Sequence, residues 1–501
     1  QKIPSIAAPK TKLTFKDKLK WTGLILLIYF ILSNIIVWGI DPTATTRFEQ
    51  LEAIMGASFG SIITLGIGPI VTASIFLQLL VGSGILGWDT STPKGRLMFS
   101  GTQKLLTIAL SIVEAIAYVI LGAITPLQFT PFFIGIVVTQ IALGGIMIVL
   151  MDEISTKYGI GSGVSLFIAA GISKAIIIKL LNPLTATGDI PSSGIAPAGI
   201  LPNFISTMMS GIPDFTLLWP IIPTLIVLAI VIYAESMKVE IPLSFGSVRG
   251  FGRKWPLKFI YANVIPVIFI SAILINLQVW GKLLSDKGIH LLGTFTADQA
   301  TGGLAYYLTA PKSPQLQVFL MILSTIILIG TYVSYKLYRE KMKQIVIASA
   351  VIGFISAILI SQASISQISM GLPSITDFTR LITYTTAMII GSAVFSVFWV
   401  QTSGMDAGKV AEQIQNSGMQ IPGFRRDIRI IERLLERYIP NLAILGGMFV
   451  GFLAAFTDVI SALAGGTSLL LTAMILYQFY ETIARENLEE MYPGLSKYIK
   501  K

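Results

Sequence analysis

Side chains that could do chemistry are scarce in this chain of 501 residues, and the scarcity is informative. Cysteine is absent and histidine occurs once, as His290. Without a thiol there is no disulfide framework, thiolate metal site or cysteine nucleophile, and one histidine cannot form a paired-imidazole metal site. No Asp-rich or Gly-rich phosphate motif offers a nucleotide site. Three polar residues do stand inside long apolar runs: Thr72, Glu114 and Asn276. A carboxylate in such a run is costly and marks a functional position by default. Glu114 has no companion chain of acids or histidines for a proton relay. What these three can offer one another is hydrogen bonding between spans.

The elements that must position them follow from composition. Hydrophobic types make up 53 % of the chain and charged types 12 %. A soluble domain carries roughly 25 % charge, so this chain cannot cover soluble domains with polar surface. Ten to twelve spans of about 20 residues suit it instead. Twelve apolar runs are present: Trp21–Ile40, Ile62–Val81, Leu105–Leu121, Pro131–Met151, Val164–Leu181, Leu217–Tyr233, Phe259–Trp280, Val318–Tyr335, Ile345–Ser361, Ile382–Val400, Leu442–Val459 and Leu469–Phe479. The first follows a basic segment. It is longer than a signal-peptide core and no small-residue cleavage pattern follows it, so it is expected to be retained.

The net charge of +10 tests this order. With a cytoplasmic N-terminus, alternation places inside the clusters Lys94, Arg96 and Lys104; Arg249, Arg253, Lys254 and Lys258; Lys336, Arg339, Lys341 and Lys343; and Arg425, Arg426, Arg429, Arg433 and Arg437. Asp152–Gly163 is the exception, with two acids against Lys157. Both termini are therefore expected in the cytoplasm. The long outside loops Asn182–Thr216 and Lys282–Gln317 read as solvated connectors. A weak repeat relates Pro69–Ser74 (PIVTAS) to Pro266–Ser271 (PVIFIS), one in each half of the chain. Two related halves are common in transporters and channels.

Specific segments carry a further reading. Ile63–Ala73 (ITLGIGPIVTA), Lys157–Gly163 (KYGIGSG), Ile265–Val267 (IPV), Gly303–Leu308 (GLAYYL), Phe398–Val400 (FWV), Ile421–Arg425 (IPGFR), Gly451–Leu453 (GFL) and Gly465–Thr467 (GGT) occur in this order. Together they resemble the SecY family in its archaeal and eukaryotic branch, the central subunits of the protein translocation channel. The resemblance implies an all-α polytopic membrane protein, a channel of two pseudo-symmetric halves with ten core spans. The two extra runs between Tyr307 and Asp377 would be an inserted helical hairpin, about 316–362. The implied division is a cytoplasmic segment 1–20, an N-terminal half 21–181 with a plug about 51–61, an outside loop 182–216, a C-terminal half 217–486 and a cytoplasmic tail 487–501.

The resemblance also implies roles. A pore ring at mid-membrane would be Ile67, Val71, Val164, Ile168, Ile268 and Leu471, aliphatic side chains that dewet a narrow passage and yield to a passing chain. Plug residues would be Ile54, Met55, Ala57, Ser58 and Phe59. Thr72, Glu114 and Asn276 would meet across a lateral gate. Arg249, Arg253, Lys254, Arg425 and Arg426 would dock a ribosome through phosphate contacts. The first docking loop departs from the family, because Val239, Glu240 and Ser247 stand where relatives often carry basic residues. Implied partners are a SecE (gamma-type) subunit, a small beta-type subunit, the translating ribosome, signal sequences, nascent polypeptides and membrane lipid. No cofactor and no enzymatic activity are expected. The setting would be the plasma membrane of a prokaryote, of the archaeal kind. The competing reading from the residues alone is a secondary transporter of a small solute, which needs midplane polar groups converging on a substrate.

Overall fold

Every one of the twelve apolar runs carries a helix in the computed structural model. It describes the chain apart from residues 1–5, 12, 42–51, 53–54, 91, 186–188, 192–195, 212–213, 219, 246–251, 297–298, 312, 338–341, 363–372, 417–418, 421–426, 461–462, 464 and 492–501. In the N-terminal part these helices are α1 (Phe15–Asn34), α2 (Gly68–Gly82), α3 (Pro93–Ile120), α4 (Pro131–Tyr158) and α5 (Gly163–Leu181). A short α6 (Ile200–Met209) follows, then α7 (Ile221–Ser236). Strands β1 (Lys238–Phe245) and β2 (Gly252–Lys258) lead to α8 (Ile265–Asp286). Then come β3 (Thr294–Thr296), β4 (Gln299–Gly302), α9 (Gly303–Tyr307), α10 (Pro314–Leu337), α11 (Met342–Gln362) and α12 (Ile375–Thr402). The chain closes with α13 (Ala407–Asn416), β5 (Met419–Gln420), α14 (Ile428–Val459) and α15 (Gly466–Met491).

Helix starts follow local chemistry. Thr14, Thr92, Thr130 and Ser374 cap α1, α3, α4 and α12 by accepting a backbone N–H. Pro69 and Pro266 each stand in the first turn of their helix, α2 and α8, where a missing N–H costs nothing. The weak repeat thus corresponds to two equivalent helix starts.

Among the described residues, six helices are long and apolar enough to cross a membrane: α3, α4, α5, α8, α12 and α14. The run Ile62–Val81 is shortened to a 15-residue helix, because residues 62–67 form successive turns. Irregular backbone at this depth is tolerated only where protein surrounds it. Here it does, since Ile63, Leu65 and Ile67 are buried.

Apolar helices gain little from hydrophobicity when they pack inside lipid, so close approach at small residues has to bind them. The α12–α14 pair shows this. Gly447 and Gly451, one turn apart, face Ser392 and Ser396, and a Cβ on Gly447 would lie 2.8 Å from that of Ser396. Ser396 Oγ donates to Ala443 O at 2.6 Å. Helices α10 and α11 pack chiefly on each other as a hairpin.

Outside the membrane helices the structure differs from the loops read in the sequence. Asn182–Thr216 contains α6, and Lys282–Gln317 contains the β3–β4 hairpin and α9. The basic loop after α7 is an antiparallel hairpin in which Lys238 pairs with Lys258. A second core, separate from the membrane core, joins Ile241 and Leu257 of this hairpin to Val410, Ala411 and Ile414 of α13 and to Ile431, Leu435 and Ile439 of α14.

Candidate functional site

The six aliphatic residues of the expected ring come from α2 (Ile67 at its start, Val71), α5 (Val164, Ile168), α8 (Ile268) and α15 (Leu471). Ile67, Ile168 and Leu471 are 0 % exposed, and Val71 and Ile268 are 3 % exposed. All five belong to the membrane core, and Val164 packs against it. Their helices are neighbours in turn: α2 packs on α8, α8 on α15 and α15 on α5.

Between α5 and the start of α2 sits the segment around Met55 and Gly56. The Ile67 N–H donates to Met55 O at 2.8 Å. A Cβ on Gly56 would lie 3.2 Å from the Phe167 carbonyl, so this backbone lies directly on α5. Tyr29 Oη of α1 donates to Gly56 O at 3.0 Å, and its ring stacks on Phe167 with centroids 5.1 Å apart. Phe59 stacks on Tyr118 of α3 at 5.8 Å. The Phe59 N–H donates to Glu52 Oε1 at 2.7 Å. Met55 and Phe59 are buried, while Ala57 and Ser58 are partly buried. Ser58 O accepts from Ser61 N and Oγ. Ile54 lies outside the described residues. Of the expected plug residues that are described, Met55 thus lies against the start of α2, and Phe59 packs on α3.

Gly66 makes the seat possible. Its φ is +52°, and a Cβ there would overlap Met55 O and stand 2.9 Å from Ala57 N. Only glycine takes that backbone conformation without strain and leaves room for the segment.

Of the polar trio, two come together at the first turn of α2. Thr72 Oγ1 donates to Gly68 O at 2.9 Å, and Glu114 Oε2 lies 3.5 Å from where a Cβ on the same Gly68 would stand. Asn276 is partly buried on α8. The hydrogen bond described for Thr72 does not extend to it.

Asp152, which interrupts the basic pattern, has a positioning role that the sequence did not reveal. Its Oδ1 accepts from Val164 N at 2.9 Å and from Ser162 Oγ at 3.4 Å, fixing the start of α5 after the glycine-rich turn. Glu153 beside it is neutralised by Lys104 at 2.6 Å and Lys157 at 2.8 Å. Tyr29, Tyr118 and Phe167 were also missed. Aromatic residues are too common in apolar runs for spacing to single them out.

Beyond the ends of the membrane helices the two basic loops meet. β5, from the loop after α13, extends the β1–β2 hairpin through Ser244–Gln420 and Phe245–Met419 pairs. Tyr261 Oη donates to Met405 O at 2.8 Å and adds a second tie. Arg253 and Lys254 lie on β2, whereas Arg249, Arg425 and Arg426 lie outside the described residues. Lys258, at the hairpin base, is ion-paired with Glu481 of α15 and stands 3.9 Å from the fully buried Glu235 of α7. Among the described residues no cluster of metal-ligating side chains occurs.

A bundle of membrane helices around a buried aliphatic centre, with a short segment seated beside it, has close counterparts. A structure reported as that of a protein conducting channel superposes with a TM-score of 0.77 at 39 % identity, covering 99 % of this chain and 98 % of that one. The structure of Sec61 in the canine ribosome-channel complex from the endoplasmic reticulum gives 0.75 over the same shares, also at 39 % identity. The protein translocase subunit SecY of Methanocaldococcus jannaschii is 39 % identical over 501 residues, 100 % of this chain and 98 % of that protein. Its counterpart in Archaeoglobus fulgidus is 36 % identical, over 100 % and 97 %. The fold and the site therefore define a multi-pass integral membrane protein of the translocation-channel class. Residues 61–480 match the SecY family and residues 27–60 match the plug domain of Sec61p; the chain belongs to the SecY family.

Proposed function

We propose that this chain is the passive conduit of a protein translocation channel, moving secretory polypeptides across the membrane and releasing apolar segments sideways into lipid. The observation that carries the reading is the seat of the Met55–Phe59 segment between α5 and the start of α2, held by the Ile67–Met55 and Tyr29–Gly56 hydrogen bonds. A blocked, aliphatic centre suits a channel that must stay shut to ions until a polypeptide arrives. A solute transporter would need converging polar groups at mid-membrane, and Ile67, Val71, Ile168, Ile268 and Leu471 offer none.

In this reading Ile67, Val71, Val164, Ile168, Ile268 and Leu471 form the ring, and 51–61 is the plug. Thr72, Glu114 and Asn276 hold the lateral seam, where an arriving signal helix replaces their contacts. The chain takes no catalytic step, and the driving energy comes from a partner. A translating ribosome docks on the two basic loops, through Arg249, Arg253, Lys254, Arg425 and Arg426. Single-span subunits of the SecE and beta types complete the assembly. Both termini face the cytoplasm, the halves run 21–181 and 217–486, and α10–α11 is a peripheral insertion.

Site-specific photo-cross-linking tests the conduit. A photoreactive residue replaces Ile67 or Ile268, and membranes receive ribosome-stalled secretory chains of increasing length. Cross-links should begin once the chain reaches mid-membrane and should vanish with a non-secretory chain. No cross-link at any length, with the protein correctly inserted and its partners present, would overturn the ring.

A further inference from the structure

The loop between α5 and α7 reads in the sequence as a solvated connector, yet it holds α6, Ile200–Met209 (ILPNFISTMM). At 3.6 residues per turn, Leu201, Ile205, Met208 and Met209 share one face of this helix, flanked by Ile200 and Phe204. Asn203, Ser206 and Thr207 share the opposite face. The segregation is that of an amphipathic surface helix, but no residue of α6 is buried. Ile205, Met208 and Met209 are 55 %, 63 % and 84 % exposed. Among the described residues the main protein contacts of α6 are with α5 and the turn Phe215–Leu218.

Its position says what covers that face. The Gly199 N–H donates to Asn182 O at 2.9 Å, and the Ala198 N–H donates to Leu184 O at 2.8 Å. Asn182 is the residue that ends α5, so α6 starts beside the end of a membrane-crossing helix. The neighbouring Ile177, Ile178 and Leu181 on α5 are themselves exposed apolar residues. An exposed apolar helix face that begins at the end of such a span is suited to the depth where hydrocarbon gives way to headgroups. We propose that α6 is an interfacial helix whose Ile205, Met208 and Met209 rest in the lipid leaflet at that end of α5. The helix carries no Lys or Arg. Its contact therefore rests on apolar area and needs no anionic lipid, unlike basic amphipathic anchors. About 15 Å of helix, from its ten residues at 1.5 Å each, lies flat and pins the connector between the two groups of spans to the membrane surface.

The chain has no cysteine, so a single introduced thiol labels one site. Full-length Met208→Cys and Ser206→Cys variants, each carrying an environment-sensitive fluorophore, are reconstituted into phosphatidylcholine vesicles with or without brominated acyl chains. The label at 208 should emit at shorter wavelength, lose most of its emission in brominated lipid and resist aqueous iodide. The label at 206 should show the reverse. Adding anionic lipid or salt should leave both unchanged. Equal iodide quenching at the two positions would overturn the proposal by putting the face in water. A label at 208 shielded from iodide yet unaffected by brominated lipid would overturn it by showing a protein cover.

Discussion

Tyr29 ties the segment around Gly56 to α1 and α5. Its hydroxyl is the donor described for the Gly56 carbonyl, and its ring stacks on Phe167. Replacing Tyr29 by Phe keeps the ring and removes the donor. Leaving a buried carbonyl unpaired costs about 1 kcal/mol, or about fivefold in the ratio of open to closed centre. We expect ion conductance without a substrate chain to rise by that order in planar bilayers. Unchanged conductance would show that the bond does not seat the segment. At the seam, Thr72→Val keeps shape and removes the hydroxyl from the turn of α2 that Glu114 approaches. Weakly apolar signal sequences should then be accepted more often, read as greater translocation of a reporter carrying such a signal. An unaltered preference would remove Thr72 from the gate.

At the scale of elements, α12 and α14 depend on small residues because lipid competes for any larger apolar surface. Gly451→Val would drive a side chain into the Met388 carbonyl and to within about 3 Å of the Ser392 Cβ. Overpacking of this kind costs about 1–3 kcal/mol. We expect earlier thermal unfolding in detergent, with Leu445→Val, on the exposed face of the same helix, as a nearly neutral control. Equal stability of the two variants would mean that the helices part without penalty. The positions of the membrane helices were legible because each lies on a long apolar run. The 15-residue α2 was not, since its run continues through residues 62–67 in the same apolar alphabet. There Gly66 and contacts from residues far along the chain decide the backbone.

Across the whole molecule, the two basic loops become one surface through the β1–β5 pairing. Counterion release makes binding to a phosphate-rich partner steeply salt-dependent. Replacing Arg253 and Lys254 by Ala should weaken ribosome binding and flatten the slope of log affinity against log salt by about 0.7–0.9 for each phosphate that is no longer neutralised. An unchanged slope in a binding titration over a salt series would take these two residues out of the docking surface. The ion pair of Lys258 with Glu481 ties the base of this surface to α15, the helix that carries Leu471.

Composition and charge by themselves determined the class of protein. Too few charges exist for a soluble surface, and the basic loops alternate with the spans. Absent cysteine and a lone histidine removed thiol and paired-histidine chemistry from the outset. The motifs from Ile63 to Thr467 pointed to the family, because their order over most of the chain is improbable by chance. Tertiary structure alone decided which residues meet. Thr72 and Glu114 come together at Gly68, Tyr29 and Phe167 clamp Gly56, and the strand of Met419 pairs with that of Phe245. The reason is physical. Burial in lipid asks only that a residue be apolar, and many residues satisfy it. A hydrogen bond or a close backbone approach asks for one geometry, set by elements distant in sequence.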